Sequence, residues 1–407
     1  MVLSFLLIVL RNVLRNRRRS LITAGAIVLG VCALVAVRGF TEGFHAATMA
    51  NMAEGRLGAL VVHHPRYLIS QEQAPLDLDL PGDEAFLARI VAVPGVAAGT
   101  PRLTFTSAVN VGDETVFAQI SAVDPRRELA TLKRAKDMLA EGRAIEGAGE
   151  CLLGLELART LRAKLGDTIT FLSNDREGVL NGAEAKLVGL LSFKTAGDRR
   201  VAQLALPTAD QLLRMNGRVT EYAVAIDGDL EGADLLAAQS RLQEALGAQA
   251  RVSTWSEIAS WLTDMILFQR VMYAIIGLVL VVVVLTGIAN TMLMSVLERV
   301  REIGTMMALG VRRRQIVGLF LAESALLGFL AGVVGAALGS LVVFWLHRRG
   351  LDFPPPGTTI HNIVRPTIGL GYNLFAVGLS TVGATLAAVY PAWRAAQLRP
   401  VEALSHV

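Results

Sequence analysis

Two cysteines in 407 residues, Cys32 and Cys151, lie far apart and in unlike surroundings. They can form neither a disulfide framework nor a four-ligand zinc site, and both read as small apolar packing residues. Charge is scarce too: 18% of residues are Asp, Glu, Lys or Arg, against about 25% in a typical soluble domain. No Gly-x-x-x-x-Gly-Lys-Ser/Thr loop occurs, so the chain has no P-loop to cradle ATP phosphates. A His-Glu-x-x-His helix and a Gly-x-Ser-x-Gly elbow are likewise missing. The expectation is a chain that is not an enzyme and binds no cofactor or metal of its own.

What the sequence has is apolar length. Hydrophobic residues make up 53% of it, and the mean hydropathy is +0.49. The net charge of +4 could suggest a nucleic-acid partner, but the charges are sorted. Residues 41–264 carry 30 acidic against 22 basic residues, so the whole basic excess lies in the segments that flank apolar runs. A nucleic-acid module would put its basic stripe on a folded domain, so nucleic acid is excluded as a partner.

Four runs are long enough to cross a hydrocarbon core, which takes about 20 apolar helical residues: 20–40, 265–297, 315–346 and 367–393. The first could be read as a cleaved signal, since Arg17, Arg18 and Arg19 precede it and Leu29-Gly30-Val31-Cys32 faintly resembles a lipoprotein cleavage box. Three further spans, and a Cys inside the apolar run, favour an anchored helix. Arginines resist translocation. Arg11, Arg15 and Arg17 to Arg19 therefore place the N-terminus in the cytoplasm, and alternation puts the acidic 41–264 outside. The loop 298–314 then lies inside with Arg299, Arg301 and Arg312 to Arg314, and the tail 394–407 lies inside with Arg394 and Arg399. Only the outer loop 347–366, with three arginines against Asp352, disagrees mildly. Residues 1–19 suit an amphipathic helix lying in the cytoplasmic interface.

The fold class expected is a membrane protein of four transmembrane α-helices with a large α+β periplasmic domain inserted between the first and second. In that domain, strands fit 59–63, 102–109, 115–122, 168–172, 185–191 and 221–226. Helices fit 83–91, 156–165, 208–215 and 230–246, punctuated by Pro94-Gly95, Gly166-Asp167 and Asn216-Gly217. A small layered core is expected with a second lobe beside it. His63 and His64 point to opposite faces of a strand, cannot share a metal, and read as surface residues.

Two membrane-side features stand out. Gly328, Gly332, Gly335 and Gly339 share one face of the third span, where small residues let backbones approach. Glu323 in the same span is expected near the cytoplasmic boundary, within reach of water or an arginine. The inner loop, Glu298, Arg299, Arg301, Glu302, Ile303, Gly304, Met307, Leu309 and Gly310, mixes both charges with apolar residues and reads as a docking surface.

The stretch Glu298 to Ile316, then Leu321-Ala-Glu323-Ser and the glycine-rich span, resembles the permease subunits of the MacB, LolC/LolE and FtsX group of ABC transporters. Val93-Pro-Gly-Val96, Gly154-Leu-Glu-Leu-Ala158, Tyr390-Pro391-Ala392 and Arg399-Pro-Val-Glu-Ala-Leu404 match the group's recurring patterns. The resemblance implies a multi-pass protein of the bacterial inner membrane, with a second permease copy or paralogue and two copies of a cytoplasmic ABC ATPase that hold ATP and Mg. The inner loop would be the coupling helix, and force rather than a channel would do the work. A periplasmic carrier or adaptor is a further partner implied. Lipoprotein or lipid extraction is the substrate reading favoured by the Trp-rich approach 255–272. MacB-like efflux of peptides or drugs, and FtsX-like signalling to cell-wall hydrolases, are the alternatives. Ser173 to Glu184 is short and polar, unlike the carrier-binding hook of lipoprotein-releasing members.

Overall fold

A computed structural model describes residues 17–67, 75–192, 200–352 and 363–397, with side chains from Ser20 onward. Residues 1–16 of the expected interfacial helix and the tail beyond 397 lie outside the described residues. In chain order the principal helices are α1 (Arg17–Met52), α2 (Glu84–Val91), α3 (Ala233–Leu246), α4 (Ser260–Glu298), α5 (Val300–Ala308), α6 (Arg313–Arg349) and α7 (Leu370–Ala396). They belong to two compact units, one of long helices and one covering His45–Met265.

In the helical unit α1, α4, α6 and α7 are each long and apolar enough to cross a membrane. The first helix continues past the expected end at 40 to Met52, and α4 begins at Ser260 rather than 265. At 39 residues α4 runs about 58 Å, roughly twice the hydrocarbon thickness. The four meet around Ile27, Val31 and Val35 of α1, Ile288 and Met292 of α4, Leu327, Ala331 and Ala336 of α6, and Ala376, Ala384 and Ala388 of α7. α6 stops where sequence chemistry says it should. His347, Arg348 and Arg349 fill its last turn against the helix dipole, and Gly350 takes a positive φ of 70°.

The glycine face of α6 serves two neighbours. A Cβ on Gly328 would lie 2.7 Å from the Ala384 Cβ and 2.8 Å from the Ser380 carbonyl oxygen of α7. On Gly335 it would lie 2.8 Å from the Val28 carbonyl oxygen of α1, and on Gly339 2.8 Å from the Val35 Cβ. Gly332 faces Ser380, whose hydroxyl donates to the Gly328 carbonyl at 3.1 Å. Lipid is as apolar as leucine, so this closeness is what holds the helices together.

The second unit is built on a ten-stranded sheet. Its strands are β1 (Leu60–His63), β2 (Val96–Val111), β3 (Glu114–Val123), β4 (Leu139–Gly142), β5 (Glu150–Gly154), β6 (Thr168–Asn174), β7 (Leu180–Leu191), β8 (Val201–Ala205), β9 (Glu221–Ile226) and β10 (Arg251–Thr254). The pairing β2-β3-β8-β5-β7-β6-β2 closes on itself. Closure removes the free edges that isolated strands expose. Register brings Leu103, Ala122, Leu204, Cys151 and Leu187 directly opposite one another around this ring, and all five are buried. Cys151 is therefore the packing residue expected, and burial pushes its thiol up to about 12.

The first half of β2 leaves the ring to pair with β9, followed by β1 and β10. This open sheet carries α2 and α3, which supply Phe86, Leu87 and Ile90 and Leu235, Ala238 and Leu242 to the core. Ring and open sheet form two lobes of this unit.

Three expectations need correction. The helix expected over 156–165 ends at Thr160, because Arg162 turns left-handed at φ 54°. Strands 139–142, 150–154 and 201–205 were not anticipated: the first is a short, largely exposed edge, and the other two are short and buried rather than alternating. His63 is fully buried rather than at the surface, since β1 is covered on both faces. Its Nδ1–H donates to the His64 carbonyl at 2.9 Å, which leaves Nε2 to accept from the Ser253 hydroxyl at 2.9 Å. Burial, the largest influence, lowers its pKa below 6.5.

Two outcomes are expected. Gly335→Leu destabilises the helical unit by about 1–3 kcal/mol, as overpacking does, whereas Gly287→Leu, with open space around it, leaves thermal unfolding in detergent unchanged. A lowered folded pKa means the unfolded chain binds the proton more tightly. The contribution of His63 is thus complete above pH about 6.5 and shrinks as pH falls toward the lowered value. Melting curves at stepped pH should show a shallower decline below pH 6.5 for His63→Gln than for the wild-type chain.

Candidate functional site

Between α4 and α6 the chain folds into a helix and a turn. Arg299 caps α5, with Nε 3.2 Å from Glu302 and a terminal nitrogen 3.3 Å from Glu323 of α6. Arg299 and Glu323 are both buried, so each neutralises the other where water is scarce. Of the two partners the sequence left open for Glu323, water or an arginine, the structure supplies the arginine. Beneath α5, its own Ile303 packs on an apolar floor of Val296, Ile316, Phe320, Ala392 and Ala395.

The turn is equally defined. Gly310 has a φ of 90°, a conformation that suits glycine, and its N–H bonds the Met307 carbonyl at 3.1 Å. Val311 N–H bonds the Met306 carbonyl, also at 3.1 Å. The backbone of Arg312 then donates to the Gln315 side chain at 2.9 Å, opening α6. Leu309 sits at the tip with 85% of its surface exposed.

Of the residues singled out from the sequence, the structure exposes Glu298, Arg301, Glu302, Leu309 and Gly310 and half-buries Met307. It buries Arg299, Ile303 and Gly304. Those three cannot belong to a docking surface; they attach α5 to the bundle. The helical period decides this, because 300, 303, 304 and 307 fall on the inner face and 301, 302, 305, 308 and 309 on the outer. Sequence reasoning left out Thr305, Ala308 and Arg312 to Arg314, which complete the exposed rim; the same period was the signal for the first two. Gly328, Gly332, Gly335 and Gly339 are not part of this site but pack α6 as described.

In the other unit, Ser173–Glu184 forms the tip of the β6–β7 hairpin. Asp175 accepts from the Glu177 and Val179 backbones, each at 2.9 Å, and from Asn181 at 2.8 Å. It is a tight turn and not an extended hook. No three His, Cys, Asp or Glu among the described residues are placed to hold a metal ion.

Four long apolar helices, a large α/β domain inserted after the first, and a short amphipathic helix before the third define a multi-pass membrane protein. Comparison with known proteins specifies it. The model of the MacB-like periplasmic core domain matches residues 20–245, more than half the chain, and that of the FtsX-like permease C-terminal matches 274–400. The chain belongs to the MacB family of ABC transporter permeases. It is 28% identical, over 61% of its length and 39% of the relative's, to the macrolide export ATP-binding/permease protein MacB of Bdellovibrio bacteriovorus. It is 23% identical to the MacB of Campylobacter jejuni, over 97% of this chain and 60% of that one. An uncharacterized ABC transporter permease of Methanocaldococcus jannaschii is 23% identical over 97% of this chain and 96% of its own. The chain thus spans less than two thirds of the length of either macrolide exporter.

Removing Glu323 leaves the buried Arg299 with only the half-exposed Glu302 as its acidic partner. Glu323→Ala should lower stability by about 3–5 kcal/mol, while the paired change Arg299→Met with Glu323→Leu recovers most of that loss. Denaturant titration of the purified chain in detergent measures both, with Arg301→Ala as the surface control expected within about 0.5 kcal/mol of wild type.

Proposed function

We propose that this chain is the non-catalytic permease subunit of an ABC transporter of the bacterial inner membrane, with both termini cytoplasmic. Two copies of a separate cytoplasmic ATPase, which hold ATP and Mg, work on it and on a second permease copy or paralogue. The observation that carries this reading is α5. It is a short helix fixed to the bundle by a buried ion pair and an apolar floor, with an outer face of mixed charge ending in an exposed leucine. A surface charge cluster serving only to orient the chain would need no such anchoring. Arg301, Glu302 and Leu309, with Glu298 and Gly310 beside them, make the contact; Arg299, Ile303, Gly304 and Met307 hold it rigid.

ATP-driven closure of the partner moves α4 and α6, to which α5 is joined directly, and α4 carries the movement beyond the membrane. The spans offer few polar residues to line a water-filled path, which supports transmission of force over a channel. Lipoprotein or lipid extraction is the substrate class we favour. The names of the MacB relatives support a second reading, export of small molecules. A periplasmic carrier or adaptor joins the complex in either case, by a contact other than the tight 173–184 turn.

Affinity purification of the tagged chain from native membranes in mild detergent should recover a stoichiometric ATPase with ATP hydrolysis. Leu309→Asp should lower the recovered ATPase at least about tenfold, the scale of one interface anchor, while membrane insertion stays intact. Arg301→Ala with Glu302→Ala should leave binding but uncouple hydrolysis from transport. Recovery of the chain alone would refute the reading.

A further inference from the structure

At the end of the bundle from which α1 leaves and α4 enters, α1, α4 and α7 leave a groove of about 420 Å³ between them. That is within the usual range for ligand sites. Its rim is polar and basic: Arg38 and Thr41 of α1, Arg270 and Tyr273 of α4, and Tyr372 of α7. Its depth is apolar, lined by Leu34, Ile276, Leu280, Val281, Phe375 and Leu379.

The charges do not balance. Arg38 pairs with Glu42 one turn on and lies 5.6 Å from the centre of the Tyr372 ring. Arg270 has no acidic partner among the described residues. An arginine facing an apolar groove at a span end is stabilised by snorkelling to an anionic group in the interface. Tyr273 and Tyr372 are the residue type that settles at headgroup level. A basic, aromatic rim above a slot of hydrocarbon character matches a molecule with an anionic head and an acyl chain.

We propose that this groove binds one anionic phospholipid from the leaflet on the side of the large domain, with its phosphate between Arg38 and Arg270 and one acyl chain running down between α1, α4 and α7. Charge complementarity selects this occupant: a zwitterionic lipid would leave the excess positive charge unanswered, and a second protein helix would leave Arg270 facing apolar side chains. The site does not depend on what the transporter carries.

The test places the full-length chain in nanodiscs of phosphatidylglycerol and phosphatidylcholine with matched acyl chains. Native mass spectrometry then counts the lipids kept after transfer to detergent. One phosphatidylglycerol should be retained in preference to phosphatidylcholine. Arg270→Ala, at an exposed position, should reduce that preference about fivefold, the scale of one basic contact at a membrane surface. Ala274→Trp, which fills the groove but keeps both arginines, should abolish retention; Ala274→Leu serves if the tryptophan lowers the melting temperature. Equal retention of the two lipids, or a preference unmoved by both variants, overturns the proposal. So does displacement of the lipid by inorganic phosphate alone, which would make the rim a free-anion site. Disulfide cross-linking between two Gly277→Cys copies would show the groove covered by a second chain and overturn it equally.

Discussion

Lipid gives helices no hydrophobic reason to associate, so a helical bundle in a membrane depends on how closely its backbones can approach. Here that requirement falls on α6. Its glycines let α7 come against one half of the helix and α1 against the other, so close that a single methyl group would collide with backbone atoms at Gly328 and Gly335. The alanines of α7 extend the same device. Everything attached to α6 inherits this position, including Glu323 and, through it, Arg299 and α5.

The ion pair between Arg299 and Glu323 has a different role from packing. Two apolar residues of similar volume could occupy the same space at no loss of stability. The pair instead ties the start of α5 to one side chain of α6 and therefore fixes which face of α5 is turned inward. In the other unit, the six-stranded ring does comparable work without charge, because closure satisfies the strands' backbone groups and lets small residues such as Cys151 and Ala202 fill the interior. Both units thus use small side chains to admit a neighbour, one because lipid supplies no drive and the other because the ring is narrow.

Membrane crossing and family membership were legible in the sequence because each rests on local pattern: apolar length, arginine flanks, and motifs such as those around Glu298 and Tyr390. The two-lobed domain was legible in outline, since turn glycines such as Gly95, Gly166 and Gly217 take the positive φ that their dipeptides suggest. Strands 150–154 and 201–205 were not, because both their faces are covered and the alternation that marks a strand is lost. His63 was misread for the same reason.

Sequence alone determined the four spans, the place of the inserted domain, the glycine face of α6 and the mixed character of the inner loop, because periodicity and composition act within a single element. Tertiary structure decided which residues of that loop face outward, which neighbour each glycine meets, that Glu323 takes Arg299, and that Arg38 and Arg270 flank one groove. Those are relations between segments far apart in the chain, set by packing distance and burial, and no local pattern encodes them.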